Sequence, residues 1–366
     1  MGGSRDRADE GGQRVDDRWR SAERTLRQPV SHPPALGEEA PLPVRLLRAA
    51  LLSAPDGALP EPGPLDLGSP RDVASRTTRG RRGWLRALWA AAQTRPQGGL
   101  LDGAALPALA TTARRVEIDP KAASRAAAAC GVTYDGRALP PAWPEVLFVP
   151  LLAQLLVDPA FPLSPLGLIH TRQRFSAPRP LRSTERPDLR CWIDRARASD
   201  RGITLTVGMV ASVEGRAVWT GEADLLSRAP TARTPGGRAR AAKPVPRGQG
   251  LPLVAPADAG RRYARATGDW SPHHLWPITA RLLGYPRPIA HGMWTLARCL
   301  ELVADRLPRG EGVRADVRFQ VPLSLPGRAV LLASELVGAP PHLTVRLLDP
   351  DTGAPHLRGE IGSCAG

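Results

Sequence analysis

Two stretches of the sequence decide the fold: Tyr263-Ala-Arg-Ala-Thr-Gly-Asp-Trp-Ser-Pro-His-His274 and, shortly after it, Pro288-Ile-Ala-His-Gly-Met293. Within the first stretch, Gly268 permits backbone conformations that other residues avoid, and Pro272 fixes its own φ angle. These two residues predict a tight, fixed loop around Asp269.

The residue types in these stretches indicate proton-transfer chemistry. Asp269 and His274 are five residues apart on the constrained segment, so both side chains can face one cavity. A carboxylate and an imidazole together can hold a water molecule and transfer its protons near neutral pH. The second stretch opens an apolar helix, predicted from His291 to about residue 305. Unpaired N–H groups at its start, including that of Gly292, suit negative charge on a substrate oxygen.

Structural roles are the alternative for several of these side chains. Asp269 could instead cap the loop, and His274 could be a hydrogen-bonded core histidine. We expect His291 to shape the loop rather than to transfer protons. His273 is expected to be exposed, and His170, in the first half of the chain, is expected to be structural.

Together the two stretches resemble the signature of the MaoC-like, or hydratase 2, family of (R)-specific enoyl-thioester hydratases. That signature has the form Tyr-x(4)-Gly-Asp-x-Asn-Pro-x-His, followed by Pro-Ile-x-His-Gly-Met. The matching residues are Tyr263, Gly268, Asp269, Pro272, His274, Pro288, Ile289, His291, Gly292 and Met293. The resemblance implies an α+β double hot-dog fold, in which two central helices are each wrapped by an antiparallel sheet. It also implies one active site and a substrate carried on coenzyme A or acyl carrier protein.

The sequence departs from this signature beside the predicted site. Ser271 replaces the usual Asn and can still form hydrogen bonds, while Trp276 occupies a position where small or acidic residues are common. We expect Trp276 to narrow the mouth of the acyl tunnel. The predicted catalytic residues are Asp269, His274 and Gly292. The predicted substrate-binding residues are Ser271, Trp276, His291 and Met293.

The chain divides into four parts on composition and pattern. The predicted parts are a disordered extension over 1–80, a degenerate hot-dog domain over 82–228, a basic linker over 229–250 and the catalytic hot-dog domain over 251–366. Short helices are predicted at 43–52 and 84–93. The linker is rich in Pro, Gly and basic residues. A phosphate-binding arm is the alternative for this basic segment.

Within each half, an apolar helix precedes several strands with alternating apolar residues. In the first half, the predicted elements are a helix capped by Asp119 and ending at Gly131, a buried helix over 144–157, and strands over 203–213 and 217–226. In the second half, strands are predicted over 313–321, 330–336 and 343–347, with a final strand after the turn at 351–353. A local likeness between 128–131 and 266–268 supports an internal repeat.

The composition limits the partners of the protein. The net charge is +15, and only two of the 50 basic residues, Lys121 and Lys243, are Lys. A basic surface attracts polyanions, including nucleic acid and the phosphates of coenzyme A. The sequence has no nucleic-acid-binding motif and only 4% aromatic residues to stack on bases, which disfavours a dedicated nucleic-acid binder. No apolar run is long enough to span a membrane, and four scattered cysteines indicate a reducing, cytoplasmic compartment.

The resemblance to the MaoC-like family implies an enzyme, specifically a hydro-lyase that hydrates 2-enoyl thioesters and dehydrates (3R)-hydroxyacyl thioesters. We expect it to need no metal and no cofactor besides the thioester carrier, and a homodimer is compatible with the sequence. Three alternatives stay open. They are a non-catalytic acyl-thioester-binding protein or partner subunit, a nucleic-acid-associated protein, and a thioesterase on the same fold.

Overall fold

The computed structural model describes residues 109–158, 160–161, 163–228, 244–246, 248–308 and 312–364. The predictions for 1–80 and for the helices at 43–52 and 84–93 lie outside these ranges, as does most of the predicted linker. Within these ranges, no helix is both long and apolar enough to cross a membrane.

In the described part of the chain, ten strands form one continuous antiparallel sheet with the spatial order β1-β3-β4-β5-β2-β7-β10-β9-β8-β6. The strands are β1 (Ala110–Ala113), β2 (Ile169–Ala177), β3 (Asp188–Ser199), β4 (Gly202–Val213), β5 (Arg216–Arg228), β6 (Leu251–Ala255), β7 (Val313–Phe319), β8 (Gly327–Ala333), β9 (His342–Leu348) and β10 (Pro355–Ser363). The first five strands along the chain form one half of the sheet, and the last five form the other.

The described α-helices are α1 (Pro120–Cys130), α2 (Val149–Val157), α3 (Ala259–Thr267), α4 (Pro277–Leu282) and α5 (Gly292–Leu302). Helices α2 and α5 are the apolar central helices, and their buried side chains belong to the same hydrophobic core as those of the strands. A central helix with five antiparallel strands occurs once in each half. The protein therefore has the predicted α+β double hot-dog fold.

The ends of α1 are those predicted from the sequence. The Asp119 side chain accepts a hydrogen bond from the N–H of Lys121 at 2.8 Å, and the helix stops at Gly131, whose φ of 60° is left-handed. Helix α3 stops in the same way at Gly268, with a φ of 82°. Helices α1 and α3 pack against each other. The two glycines that end them, Gly131 and Gly268, therefore belong to one pair of packed helices.

Some elements differ from the predictions for identifiable reasons. The single helix predicted over 144–157 is a 3-10 helix, Trp143–Phe148, followed by α2. Pro150 has no N–H for an α-helical bond, and its ring would clash with the carbonyl four residues before it, so an α-helix cannot run through this point. Strand β2 was not predicted because its inward positions include the buried polar Gln173 instead of a regular apolar series.

The two halves join where β2 pairs with β7. The Asp316 carboxylate on β7 accepts hydrogen bonds from Nε and Nη2 of Arg172 on β2, at 2.8 and 2.5 Å. It also accepts one from Nε of Arg174 at 3.2 Å. Paired bonds from one guanidinium to one carboxylate are strong and directional. This cluster reinforces the backbone pairing that makes the two half-sheets one.

Trp219 on β5 is the largest of the fully buried side chains. Its ring stacks on Phe148, with centroids 5.5 Å apart, and on Phe175, with centroids 6.0 Å apart. Its Nε1–H donates a hydrogen bond to the carbonyl oxygen of Pro141 at 3.1 Å. The indole therefore connects the sheet to the 3-10 helix that leads into α2.

Replacing Trp219 with Ala should lower the free energy of unfolding by about 3–5 kcal/mol, because it leaves a large cavity and removes the indole hydrogen bond. Urea denaturation followed by far-UV circular dichroism measures this change. Val254→Ala is the matched control, since this side chain is 64% exposed. A loss below about 1 kcal/mol in Trp219→Ala would contradict this account.

Candidate active site

A cavity of about 140 Å³ lies between the two halves and is lined by residues from both. A cavity of about 150 Å³ is enough to hold a benzene molecule, so this one can hold a short acyl segment. The polar lining residues are Glu145, His170, Tyr263, Asp269, Ser271, His273, His274 and His291. Most of the remaining lining is aliphatic and comes from the first half, around α2 and the inner face of β4 and β5.

Asp269 lies directly after the left-handed glycine that ends α3, so the turn at Gly268 directs the chain into the cavity. Its Oδ1 accepts two hydrogen bonds from Ser271, one from Oγ at 2.6 Å and one from the backbone N–H at 3.1 Å. Oδ2 lies 3.9 Å from Nε2 of His291. Ser271 therefore holds one carboxylate oxygen, and the side chain keeps 31% of its surface exposed.

His274 is buried and has a defined tautomer. Its Nδ1 lies 2.8 Å from the carbonyl oxygen of Ile289, which can only accept, so Nδ1 carries the hydrogen. In the neutral ring Nε2 is then a hydrogen-bond acceptor. Burial lowers the pKa of His274 well below its usual value, and the adjacent His291 lowers it further. The imidazole is consequently neutral at physiological pH and able to accept a proton.

His291 and Gly292 form the start of α5. The Nε2–H of His291 donates to the backbone oxygen of Asp269 at 3.2 Å, which fixes the two motifs against each other. Gly292 is the first residue of α5, where a backbone N–H has no acceptor within the helix. A Cβ at this position would lie 3.0 Å from the ring of Phe319. Glycine thus leaves room beside an N–H that borders the cavity.

Five aromatic rings form a continuous column along this wall. In order they are Tyr263, His291, His274, His273 and Tyr285, with successive ring centroids 4.6, 3.6, 4.0 and 5.6 Å apart. The expectation that His273 is exposed was wrong, because its ring lies between His274 and Tyr285 and borders the cavity. Its pKa is lowered by burial and by His274.

The first half contributes two polar groups that sequence reasoning did not assign to the site. His170 borders the cavity and packs edge-on against Phe319, with ring centroids 5.0 Å apart. Glu145 also borders it, and burial together with the negative charge of Asp269 raises its pKa to about 8. Glu145 is the one charged residue in the mostly apolar stretch 143–157, which was a usable signal.

The predicted site residues mostly converge. Asp269, His274, Gly292, Ser271, His291 and Met293 all line the cavity. Trp276 does not line it; this half-buried residue precedes the first turn of α4. Among the described residues, no group of three or more His, Cys, Asp or Glu side chains has the arrangement of a metal site.

Comparison with known proteins identifies relatives of this chain. The profile of the MaoC like domain family matches residues 230–339. The 3-hydroxyacyl-thioester dehydratase X of Mycobacterium tuberculosis is 31% identical over 264 residues, covering 70% of this chain and 90% of that protein. The peroxisomal enoyl-CoA hydratase 2 of Arabidopsis thaliana is 27% identical over 173 residues, covering 42% of this chain and 54% of that protein.

Solved structures agree in fold. The crystal structure of HtdX from Mycobacterium tuberculosis superposes with a TM-score of 0.61 at 29% identity, covering 70% of this chain and all of that one. A MaoC-like dehydratase from Phytophthora capsici has a TM-score of 0.56 at 15% identity, covering 70% of this chain and 95% of that one, and shares the fold. With its paired motifs, its double hot-dog fold and the extent of its similarity to the mycobacterial dehydratase, the chain belongs to the MaoC-like dehydratase family.

Proposed function

We propose that this protein catalyses the reversible hydration of a 2-enoyl thioester to a (3R)-hydroxyacyl thioester, carried on coenzyme A or acyl carrier protein. It is a hydro-lyase. The observation that carries the proposal is the pairing of a neutral His274, whose free ring nitrogen can accept a proton, with the oriented carboxylate of Asp269 in one cavity. In domain terms, 251–366 supplies the reacting groups and 82–228 supplies the acyl-pocket wall.

Hydration adds the oxygen of a water molecule to C3 and a proton to C2. In this proposal Asp269 and His274 bind the water between them, accept one of its protons and return one proton to C2. The pair therefore ends the cycle in its starting protonation state. The accepting and donating roles are assigned to the pair, because both side chains border the same cavity. Ser271 keeps the Asp269 carboxylate oriented for this exchange.

The Gly292 N–H is proposed to donate a hydrogen bond to the thioester carbonyl. Addition at C3 moves negative charge onto that oxygen, so an N–H at the start of α5 stabilises the enolate more than the ground state. The helix dipole of α5 acts in the same direction. His291, Ser271 and Met293 border the same cavity and are proposed to contact the substrate.

Asp269→Asn and His274→Ala should each slow crotonyl-CoA hydration by about two to four orders of magnitude, because each removes a proton-transfer partner. Loss of the conjugated enoyl absorbance measures the rate. Asp305→Asn, at an exposed position away from the cavity, is the control and should keep the wild-type rate. Near-normal turnover in either site variant would overturn the assignment. Thioester binding without turnover by the wild type would support a non-catalytic role, and release of free thiol would support a thioesterase.

Ser271→Ala should lower kcat by about tenfold, the equivalent of one hydrogen bond to a charged group, with a smaller effect on KM. Ser271→Thr keeps the hydroxyl and should restore most of kcat. Steady-state kinetics on crotonyl-CoA separates these parameters. If Ala and Thr variants behaved alike, the hydroxyl would not orient Asp269.

Stability should fall as the pH is lowered from 7.5 to 5.5. The folded-state pKa values of His274 and His291 lie below the unfolded value of about 6.5, so below that pH the unfolded chain binds more protons. Each such group contributes up to about 1.4 kcal/mol per pH unit below 6.5. The half-buried His170 and His273 and the buried His356 act with the same sign, whereas Glu145, whose pKa is raised to about 8, acts with the opposite sign and with the smaller effect of a single group. Urea denaturation at both pH values should show a shallower dependence in His274→Gln, and an unchanged slope would contradict this origin.

A further inference from the structure

The first-half wall of the cavity is apolar apart from Glu145 and His170. The Nε2–H of His170 donates to the backbone oxygen of Arg172 at 3.0 Å, so His170 has a hydrogen-bond partner within the protein. Glu145 differs. It lies on the 3-10 helix Trp143–Phe148, and Val146, Val149 and other aliphatic residues line the cavity beside it.

The surroundings of the Glu145 carboxyl favour its neutral form. Its Oε2 is buried and has no hydrogen-bond partner among the described residues, and Glu145 is one of the residues that line the cavity. An ionised carboxylate needs hydrogen bonds on both oxygens when it is buried. Burial and the charge of Asp269 raise the Glu145 pKa to about 8. Of the other titratable groups, Tyr263 and Cys191 interact electrostatically with Glu145, and four histidines line the same cavity.

A neutral carboxylic acid carries one O–H donor. Whether this donor forms a hydrogen bond in the cavity depends on the atoms of the bound substrate. A plain alkyl chain in this cavity covers the carboxyl and offers it no acceptor, which is unfavourable. A chain with an oxygen atom at this depth offers an acceptor. A pocket that hydrogen-bonds a substrate oxygen discriminates strongly against the analogue that lacks it.

We propose that Glu145 is a specificity-determining residue that donates a hydrogen bond to an oxygen on the acyl chain, so that the enzyme prefers oxygen-substituted 2-enoyl thioesters over plain alkyl ones. The inference rests on the proposed hydratase function. It names the substrate class as enoyl thioesters with a hydroxyl, oxo or ether oxygen a few atoms beyond the double bond.

Two pairs of isosteric substrates test the proposal. 4-Methoxy-2-butenoyl-CoA matches 2-hexenoyl-CoA, and 5-methoxy-2-pentenoyl-CoA matches 2-heptenoyl-CoA, each ether oxygen replacing one methylene. An ether oxygen only accepts hydrogen bonds, so it reports on a donor in the wall. The wild type should favour the ether in at least one pair by about tenfold in kcat/KM.

Glu145→Met, which keeps the side-chain length without a donor, should lose that preference and hydrate the alkyl member faster. Glu145→Gln keeps an N–H donor and should retain the preference. Comparing ratios between variants removes any difference in the intrinsic reactivity of the two substrates.

The pH dependence gives a readout that a purely structural role would not move. In the wild type the preference for the ether should disappear as the pH rises through about 8, because ionised Glu145 cannot donate. In Glu145→Gln it should persist at pH 9. Circular dichroism shows whether Glu145→Met folds. If it does not fold, the pH comparison between the wild type and Glu145→Gln tests the proposal by itself.

The outcomes separate the two proposals. If the wild type hydrates none of the four thioesters, the hydratase function fails. If it hydrates 2-hexenoyl-CoA but favours the alkyl member of both pairs, the role of Glu145 is overturned alone. An unchanged ratio in Glu145→Met, or a pH-independent ratio in the wild type, also overturns it.

Discussion

The hydrogen bond between Nδ1 of His274 and the carbonyl oxygen of Ile289 is the interaction on which the site depends. It joins the loop after α3 to the segment that leads into α5, and it leaves Nε2 of His274 without a hydrogen. Backbone bonds continue the same connection. The N–H of Ile289 donates to the oxygen of His273 at 3.2 Å, and the N–H of Ala290 donates to the oxygen of Leu323 at 2.8 Å. These hydrogen bonds therefore determine the tautomer of His274, the conformation of the loop after α3 and the position of the start of α5.

The stacked histidines depend on the same arrangement. The ring centroids of His291 and His274 are 3.6 Å apart, and both side chains are buried. A proton on one ring disfavours a proton on the other, so the column stays neutral while Asp269 remains partly exposed. The site thus combines a proton acceptor without charge with a carboxylate that Ser271 orients. In the proposed reaction, a water molecule between them would meet two different bases.

Features of the structure could be predicted from the sequence where residues close together in the chain determine them. Helix α1 was predicted to the residue because Asp119 and Gly131 determine its ends through contacts within a turn. The convergence of Asp269 with Gly292 was also accessible, since two motifs with defined spacing carry it. Strand β2 was not, because its polar outward residues are explained by Asp316, over 140 positions later in the chain. Glu145 is likewise brought to the cavity by packing between the two halves. Its position relative to the second half is not predicted by residue spacing along the chain.

The continuous sheet across β2 and β7 has a consequence for how such a protein can diversify. In an assembly of two identical hot-dog subunits, every substitution appears in both halves of the assembly at once. Here the wall around Glu145 and the loop around Asp269 belong to different parts of one chain, held in fixed register by a shared sheet. Selection can therefore change the substrate preference of the cavity through its wall while the residues of the loop around Asp269 stay the same.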